Sequence, residues 1–342
     1  MVNVGLVGVG YWGPNLARNI NGGKNARLAW ICDSRADVLA NVAANYPNAS
    51  SSGDLATMLA ATDVDAVVVA TPARSHFDVA SACLEAGKHV LVEKPLAMCS
   101  DECRKLIDLA DGNNLKLMVG HVFLYSPPVL KIKELLDSGE LGETYYAYST
   151  RANLGQIRRD VNAMWNLAPH DVSIMLYLLG VPPTSVSATG ITRIQEGIED
   201  VVFMNLGFPG GIVAHIHVSW LDPGKIRQLT LVGSKKMVVY DDVDPDAKIR
   251  ILDKGVTRVA NDSRETFSSF GEFQLLLRAG DVLIPKIPAT EPLKLECQHF
   301  VDSIENDSRP LTDGLHGLQV VQILEAAQES MDNGSIPVEV NL

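Results

Sequence analysis

The sequence is short of clustered positive charge, paired cysteines and long apolar runs, and each shortage removes a class of function. Its 342 residues hold 29 Lys and Arg against 41 Asp and Glu, a formal net charge of −12. Binding a polyanion would need Lys and Arg gathered into a stripe, and no such stripe is present, which argues against nucleic acid as a partner. The five cysteines (Cys32, Cys83, Cys99, Cys103 and Cys297) are odd in number and scattered, with no CxxC pair. Neither a disulfide framework nor a zinc knuckle is indicated, and a reducing, cytoplasmic setting is expected. No run approaches the ~18 apolar residues of a membrane span, and MVNVGLVGVG lacks the charged region and long apolar stretch of a leader. A soluble, unexported protein with no membrane partner is expected.

What is present describes a folded protein of two domains. Hydrophobic residues make up 46% and charged residues 20%, far from the composition of a disordered chain, and the length exceeds that of most single cores. Up to about residue 121, short apolar runs (VNVGLVG, RLAWIC, DAVVVA, HVLVE, KLMVG) alternate with helical patterns at 14–21, 35–45, 75–86 and 100–112. That alternation predicts parallel βαβ units, a doubly wound sheet over residues 1–121. Residues 122–342 are expected to form an α+β domain with a large open, mostly antiparallel sheet, because from about residue 143 β-rich segments follow one another. FPGG at 208–211 and DPG at 222–224 read as hairpin turns. Helical spacing recurs at 165–179 and in LECQHFVDSIEN and GLHGLQVVQILEAAQESMDNG. The stretch 244–290 reads as loop with one strand.

The first strand ends in Gly8-Val9-Gly10-Tyr11-Trp12-Gly13 and runs into a helix pattern, which is GxGxxG in the context it requires. Gly8 permits the tight turn, Gly10 lets backbone approach a pyrophosphate, and Gly13 allows close helix-to-strand packing. The helix N-terminus then offers N–H groups and the positive end of its dipole. Asp33, 20 residues beyond Gly13 at the end of the second strand, can accept hydrogen bonds from the adenosine ribose and would repel a 2′-phosphate. NAD is therefore favoured, while Arg35 keeps NADP open because a guanidinium pairs well with phosphate. Tyr11, Trp12 and Ser34 complete the expected cofactor contacts on this side.

Taken together, GxGxxG, Thr71-Pro72 followed by His76, AGKHVLVEKPLA at 86–97, the block DVNAMWNLAPHDVSIMLYLLG and the β-rich second half resemble the glucose-fructose oxidoreductase, inositol dehydrogenase and rhizopine-catabolism (Gfo/Idh/MocA) family of NAD(P)-dependent sugar oxidoreductases. The resemblance covers essentially the whole chain. GYWGPNLARN, the DVNAMWNLAPHDVS block and HIHVSWLDP are similar to the branch that includes UDP-N-acetylglucosamine and UDP-N-acetylglucosaminuronate 3-dehydrogenases. This implies oxidation of a ring hydroxyl at C3 of a nucleotide sugar, with a free cyclitol or monosaccharide dehydrogenase as an alternative and an NAD-binding sensor as a second.

A ligand in a doubly wound sheet sits beyond the carboxyl ends of the strands, so Lys94, after HVLVE, should face the nicotinamide and hydrogen-bond the reacting hydroxyl. The motif Glu93-Lys94-Pro95 supports that role by resemblance, and Pro95 would fix the turn. Loss of hydride from an alcohol also needs a proton acceptor, and His170 is the residue the family resemblance points to. Four residues earlier the family commonly has an aspartate, and here the residue is Asn166, able to hydrogen-bond but not to carry charge. The same block reads independently as a helix start, with Asn166 as N-cap, Pro169 in the first turn and Asp171 pairing elsewhere.

Thr71, Pro72, His76 and Glu93 are expected near the cofactor, and His121 near the substrate. Arg151, Asn153, Arg158 and Arg159 form a local excess of positive charge suited to a sugar diphosphate. With Trp165 they complete the expected substrate set. His215 and His217 share a strand face; no third ligand follows from the pattern, so no metal is expected and a substrate or subunit contact is preferred. A homodimer or homotetramer through the second domain's sheet is expected.

Overall fold

The structure is a computed structural model that describes residues 1–155, 157–256 and 277–340. These residues form two compact units, Met1–Ser126 with Thr290–Glu325, and Pro127–Ala289 with Ala326–Asn341.

The first unit is built on β1 (Val2–Val7), α1 (Gly13–Asn21), β2 (Ala26–Cys32), α2 (Ala36–Ala43), β3 (Ser50–Ser52), α3 (Leu55–Leu59), β4 (Ala66–Val69), α4 (His76–Glu85), β5 (His89–Glu93), α5 (Ser100–Gly112) and β6 (Leu117–Gly120). The strands pair in the order β3-β2-β1-β4-β5-β6, every pair parallel. Parallel strands covered on both faces must be apolar throughout. Ala66, Val67, Val68 and Val69 of β4 are accordingly all buried. The strand order reverses between β1 and β4, so their carboxyl ends diverge and leave the crevice that doubly wound sheets use for ligands.

The second unit begins with α6 (Pro127–Asp137), which the sequence reading did not separate from its surroundings, and β7 (Thr144–Ala152). There follow α7 (Ala163–Leu179), β8 (Ser185–Ile191), β9 (Val201–Gly207), β10 (Val213–Ser219), β11 (Ile226–Gly233), β12 (Met237–Asp241), β13 (Ile249–Val256) and β14 (Leu277–Leu283). After α8 (Pro292–Glu305), which belongs to the first unit, α9 (Gly314–Asp332) crosses the division at Glu325, and β15 (Val338–Glu339) closes the chain's strands. The sheet order is β14-β13-β12-β11-β7-β10-β9-β8-β15, antiparallel except where β7 runs parallel to β10.

Two expectations change here. FPGG does turn β9 into its partner β10, but DPG at 222–224 is not a hairpin: β10 and β11 flank β7, which fills the space between them. The stretch 244–290 carries two paired strands rather than one, β13 and β14, and its residues 257–276 lie outside those described. One face of this sheet is buried, with Ala214, Ile216 and Val218 of β10 in register with Ala147, Ser149 and Arg151 of β7. Helix α7 packs on β7, β9 and β10.

Candidate active site

The cradle between β1 and α1 uses its three glycines differently. Gly8 has φ +88°, and an added Cβ would meet Ala70 C and O at 2.7 Å; at Gly13 an added Cβ would run into the Gly8 carbonyl oxygen. Both positions are closed by the fold itself. At Gly10 the only nearby atoms among the described residues are the end of the Arg35 side chain, with Nη2 at 3.2 Å from such a Cβ, so backbone there is open to a ligand. Helix α1 starts with no side-chain cap and no acidic residue in its first turn, which leaves the N–H groups there for a ligand. Tyr11 is 93% exposed beside it.

Asp33 ties this loop to β2. Its Oδ2 accepts the Val9 N–H at 2.9 Å and the Arg35 Nη2 at 2.9 Å, and its Oδ1 accepts the Arg35 backbone N–H and Nε, each at 3.0 Å. Burial pushes the Asp33 carboxyl up, but the Arg35 and Val9 hydrogen bonds outweigh it and hold the group below its ordinary range. Ser34 and Arg35 are exposed. The residues fit a dinucleotide: an open backbone approach, an uncapped helix terminus and an ionised carboxylate one strand away.

At the end of β5, Glu93, Lys94 and Pro95 make a turn braced by His76. The His76 ring is buried, with Nδ1 2.7 Å from the Pro95 carbonyl and Nε2 2.9 Å from that of Thr71. The sequence reading put His76 against cofactor or substrate. The structure instead places it behind the turn, where it ties the Thr71-Pro72 loop to the residues around Lys94. Glu93 is partly exposed as a residue, yet its carboxyl lies over Gly120, where an added Cβ would meet its Cδ and Oε2 at 3.2 Å. Burial pushes this carboxyl up to about 7, against the pull of Lys94 and of bonds from the Lys94 N–H and the Trp12 side chain.

His121, read as a substrate contact, is also buried, 1% exposed, and neither ring nitrogen has a hydrogen-bond partner among the described residues. Its ring meets that of His316 edge-on at 5.2 Å. Burial drives His121 well below its ordinary pKa and His316 to about 4, so both are neutral. These histidines form part of the first unit's interior.

In the second unit, α7 carries the expected proton acceptor. The helix starts earlier than the sequence suggested. Asn162, not Asn166, is its cap, accepting the Trp165 N–H at 3.0 Å while its amide donates to Glu199 and Gln328. Pro169 is therefore inside the helix. Trp165, Asn166 and His170 are all half-buried, and the last two lie one turn apart on one face. Asp171 points about 100° away into the sheet, where its carboxylate accepts Arg151 Nε at 2.6 Å and Nη2 at 3.4 Å. Those side chains are 3% and 5% exposed.

This burial removes Arg151 from the expected diphosphate contacts. Arg158 is paired with Asp160 through two hydrogen bonds, Arg159 is exposed and Asn153 is half-buried. Arg227, which the sequence reading did not single out, stands directly opposite Arg151 on β11. Burial and the Arg151 charge both lower its pKa. His215 bonds Asn205 through Nδ1 at 2.9 Å, and the Phe203 ring stacks on His217 at 4.5 Å.

A family model described as an oxidoreductase family with an NAD-binding Rossmann fold matches residues 2–121, and the GFO/IDH/MocA C-terminal domain model matches residues 129–239. The chain belongs to the GFO/IDH/MocA family. Its first unit is the family's NAD-binding Rossmann domain. Among curated relatives, inositol 2-dehydrogenase 2 of Saccharopolyspora erythraea is 30% identical over 64% of this chain and 66% of its own length. UDP-N-acetylglucosamine 3-dehydrogenase of Acidithiobacillus ferrooxidans is 28% identical over 70% of this chain and 74% of its own. The solved structure of a UDP-N-acetylglucosamine 3-dehydrogenase from the same organism superposes with a TM-score of 0.81, 24% identity and 97% coverage of both chains, which shows the shared fold. With that inositol dehydrogenase and two other curated relatives, one of them also an inositol dehydrogenase, the chain spans between 60% and 66% of their length. Among the described residues, no helix is long and apolar enough to cross a membrane.

Proposed function

We propose that the protein is an NAD-dependent dehydrogenase acting on a secondary ring hydroxyl of a sugar, with C3 of a UDP-linked N-acetylated hexose or uronate as the leading candidate. The observation that carries this reading is the Glu93-Lys94-Pro95 turn at the carboxyl end of β5, in the same sheet as a cradle open at Gly10. Bound NAD supplies the hydride acceptor. Lys94 hydrogen-bonds the reacting oxygen and favours the negative charge that develops there as hydride leaves. His170 takes the hydroxyl proton, and Asn166, one turn earlier on α7, orients the imidazole or the substrate. A ribose hydroxyl on Asp33 takes the place of the Arg35 guanidinium, whose side chain is 56% exposed and able to swing away. The likeness to a UDP-N-acetylglucosamine 3-dehydrogenase supports the nucleotide-sugar substrate, and the likeness to inositol dehydrogenases supports a cyclitol as the second.

Purified protein with NAD and a panel of UDP-sugars and cyclitols, followed by the absorbance of reduced nicotinamide, tests the reading. Turnover of a UDP-sugar but not of the free sugar supports it. Turnover of cyclitols alone moves the assignment to the second substrate class, and NAD binding without turnover of any substrate would make the protein a nucleotide-binding sensor. For assembly we propose that a second copy covers the open face of the nine-stranded sheet, where Val213, Tyr146 and Tyr148 are 46%, 46% and 42% exposed on neighbouring strands. The molar mass in solution decides that point.

A further inference from the structure

Arg227 is the second residue of β11 and Arg151 the last but one of β7, and the two stand directly opposite each other in an antiparallel pair. Residues so paired point to the same face with Cβ atoms about 4.5–5.5 Å apart, and like charges there repel. The face is the one that α7 covers. Helix α7 packs on β7, β9 and β10, and β11 is the next strand beyond β7, so Arg227 stands at the flank of the helix, half-buried.

The charges around it do not balance. Arg151 is bonded to Asp171 through Nε at 2.6 Å and Nη2 at 3.4 Å. The other carboxylate that bears on Arg227 is Asp242, which accepts the Tyr240 hydroxyl at 3.1 Å and lies 3.6 Å from Lys248 Nζ. Each of these acids has a cation of its own. Arg227 makes no ion pair among the described residues, and its Nε is buried without a hydrogen-bond partner among them. A buried donor with no acceptor is uncommon in a folded protein, and a surplus guanidinium opposite another is a net cost. An oxyanion removes both defects, because two of its oxygens match the fork of Nε and Nη.

We propose that Arg227 is the anion-recognising residue of the sugar site, its guanidinium holding a phosphate or carboxylate group of the substrate. The proposal rests on the reading of the protein as a sugar dehydrogenase and narrows its substrate to an anionic sugar. A UDP-linked sugar brings the group as its diphosphate and a uronate as its carboxylate, whereas a neutral cyclitol brings none. The position fits that role. Arg151, opposite, is held by Asp171, the residue that follows His170, so the guanidinium pair is anchored to the same turn of α7 that carries the proposed proton acceptor. Two of the arginines that the sequence pattern suggested for a diphosphate are committed elsewhere, Arg151 to Asp171 and Arg158 to Asp160.

Calorimetric binding of UDP and of free glucuronate, each measured with and without NAD at constant ionic strength, tests the proposal on the parent protein, Arg227→Met and Arg227→Lys. At least one of the two anions should bind the parent. Arg227→Met keeps an apolar stem and removes the charge, and should weaken that binding at least about tenfold. Arg227→Lys should recover part of the loss, because it restores the charge without the fork. A loss confined to UDP assigns the diphosphate, and a loss confined to glucuronate assigns the carboxylate. In Arg227→Met the NAD affinity should not change and the melting temperature should not fall, since repulsion from Arg151 is relieved. Equal anion affinity in the parent and Arg227→Met overturns the proposal, as does a parent that binds neither anion. If Arg227→Met does not fold, or loses NAD along with the anion, Arg227 serves the fold instead and the proposal is overturned. Turnover separates the proposal from the reading beneath it. A UDP-sugar oxidised with the same KM by the parent and Arg227→Met overturns the proposal alone. Anion binding that is lost in Arg227→Met, in a protein that oxidises no sugar or cyclitol, supports the anion site and overturns the dehydrogenase reading.

Discussion

Replacing Asp171 by Asn removes the carboxylate from a pair whose side chains are 3% and 5% exposed and leaves the Arg151 guanidinium buried. Breaking a buried pair from one side costs about 3–5 kcal/mol, because the stranded charge keeps its desolvation penalty and loses its compensation. The upper end applies here. Arg227 stands directly opposite Arg151 on the adjacent strand, and Asp171 is among the charges that offset it. Without that carboxylate two guanidinium groups face each other across a sheet. At about 2–4 °C per kcal/mol for a unit of this size, the apparent melting temperature should fall by roughly 10–20 °C. Thermal and urea unfolding of Asp171→Asn, Arg151→Met and the double variant Arg151→Met/Asp171→Leu provide the assay. The double variant removes both charges and should recover to within about 1–2 kcal/mol of the parent protein. A loss below about 1 kcal/mol in Asp171→Asn, or a double variant no more stable than the single ones, would refute the argument that breaking the buried Arg151–Asp171 pair from one side is what costs the stability.

The remaining predictions bear on the cradle, the buried acid and Asn166. Gly10→Ala adds a methyl that meets only the mobile end of Arg35, so it should fold normally and weaken NAD binding at least about tenfold, whereas Gly13→Ala places its methyl against the Gly8 carbonyl and should lose about 2 kcal/mol or more of stability; equal stabilities would sink the distinction. Glu296 has a folded-state pKa well above that of the unfolded chain. The folded protein therefore binds more protons, and stability is lost as pH rises from the ordinary carboxylate range, by about 1.4 kcal/mol per unit. Glu296→Gln removes that loss, so its stability relative to the parent should improve by about 2–3 kcal/mol between about pH 5 and about pH 7, measured by urea unfolding. Parallel curves would mean that Glu296 is ionised in the fold. Asn166→Asp should leave turnover intact or raise it if the position only supports His170, and a large fall in kcat at unchanged NAD affinity would show that its amide is required.

Most of the first unit was legible because its signals are local. GxGxxG followed by a helix, and Asp33 at the end of the next strand, are relations within one βαβ unit. The structure adds only that Arg35 occupies the Asp33 carboxylate. What was misread depends on partners distant in sequence. Asn166 looked like a cap because a proline three residues later suits a helix start, but Asn162 is held in place by Glu199 and Gln328, which no local pattern reveals. DPG looked like a hairpin because β7, which separates its two strands, lies some seventy residues earlier in the chain. Arg151 looked like a phosphate ligand because its counter-ion is 20 residues away on another element.

A signal for the buried acids was nonetheless present. In α8 the buried positions are Leu293, Glu296, Cys297, Phe300, Val301 and Ser303, and in α7 they include Met164, Ala168, Asp171, Val172 and Met175. Both carboxylates stand inside the apolar stripe rather than opposite it. An acid at such a position must be neutral or paired, and the two helices take the two solutions: Glu296 is neutral, Asp171 is paired. The same angular logic divides the work within a single turn of α7. Asp171 faces the sheet and is committed to Arg151, so it is unavailable to His170 despite being its neighbour. On this helix the residue we propose to support the imidazole is Asn166, one turn back on the half-buried face.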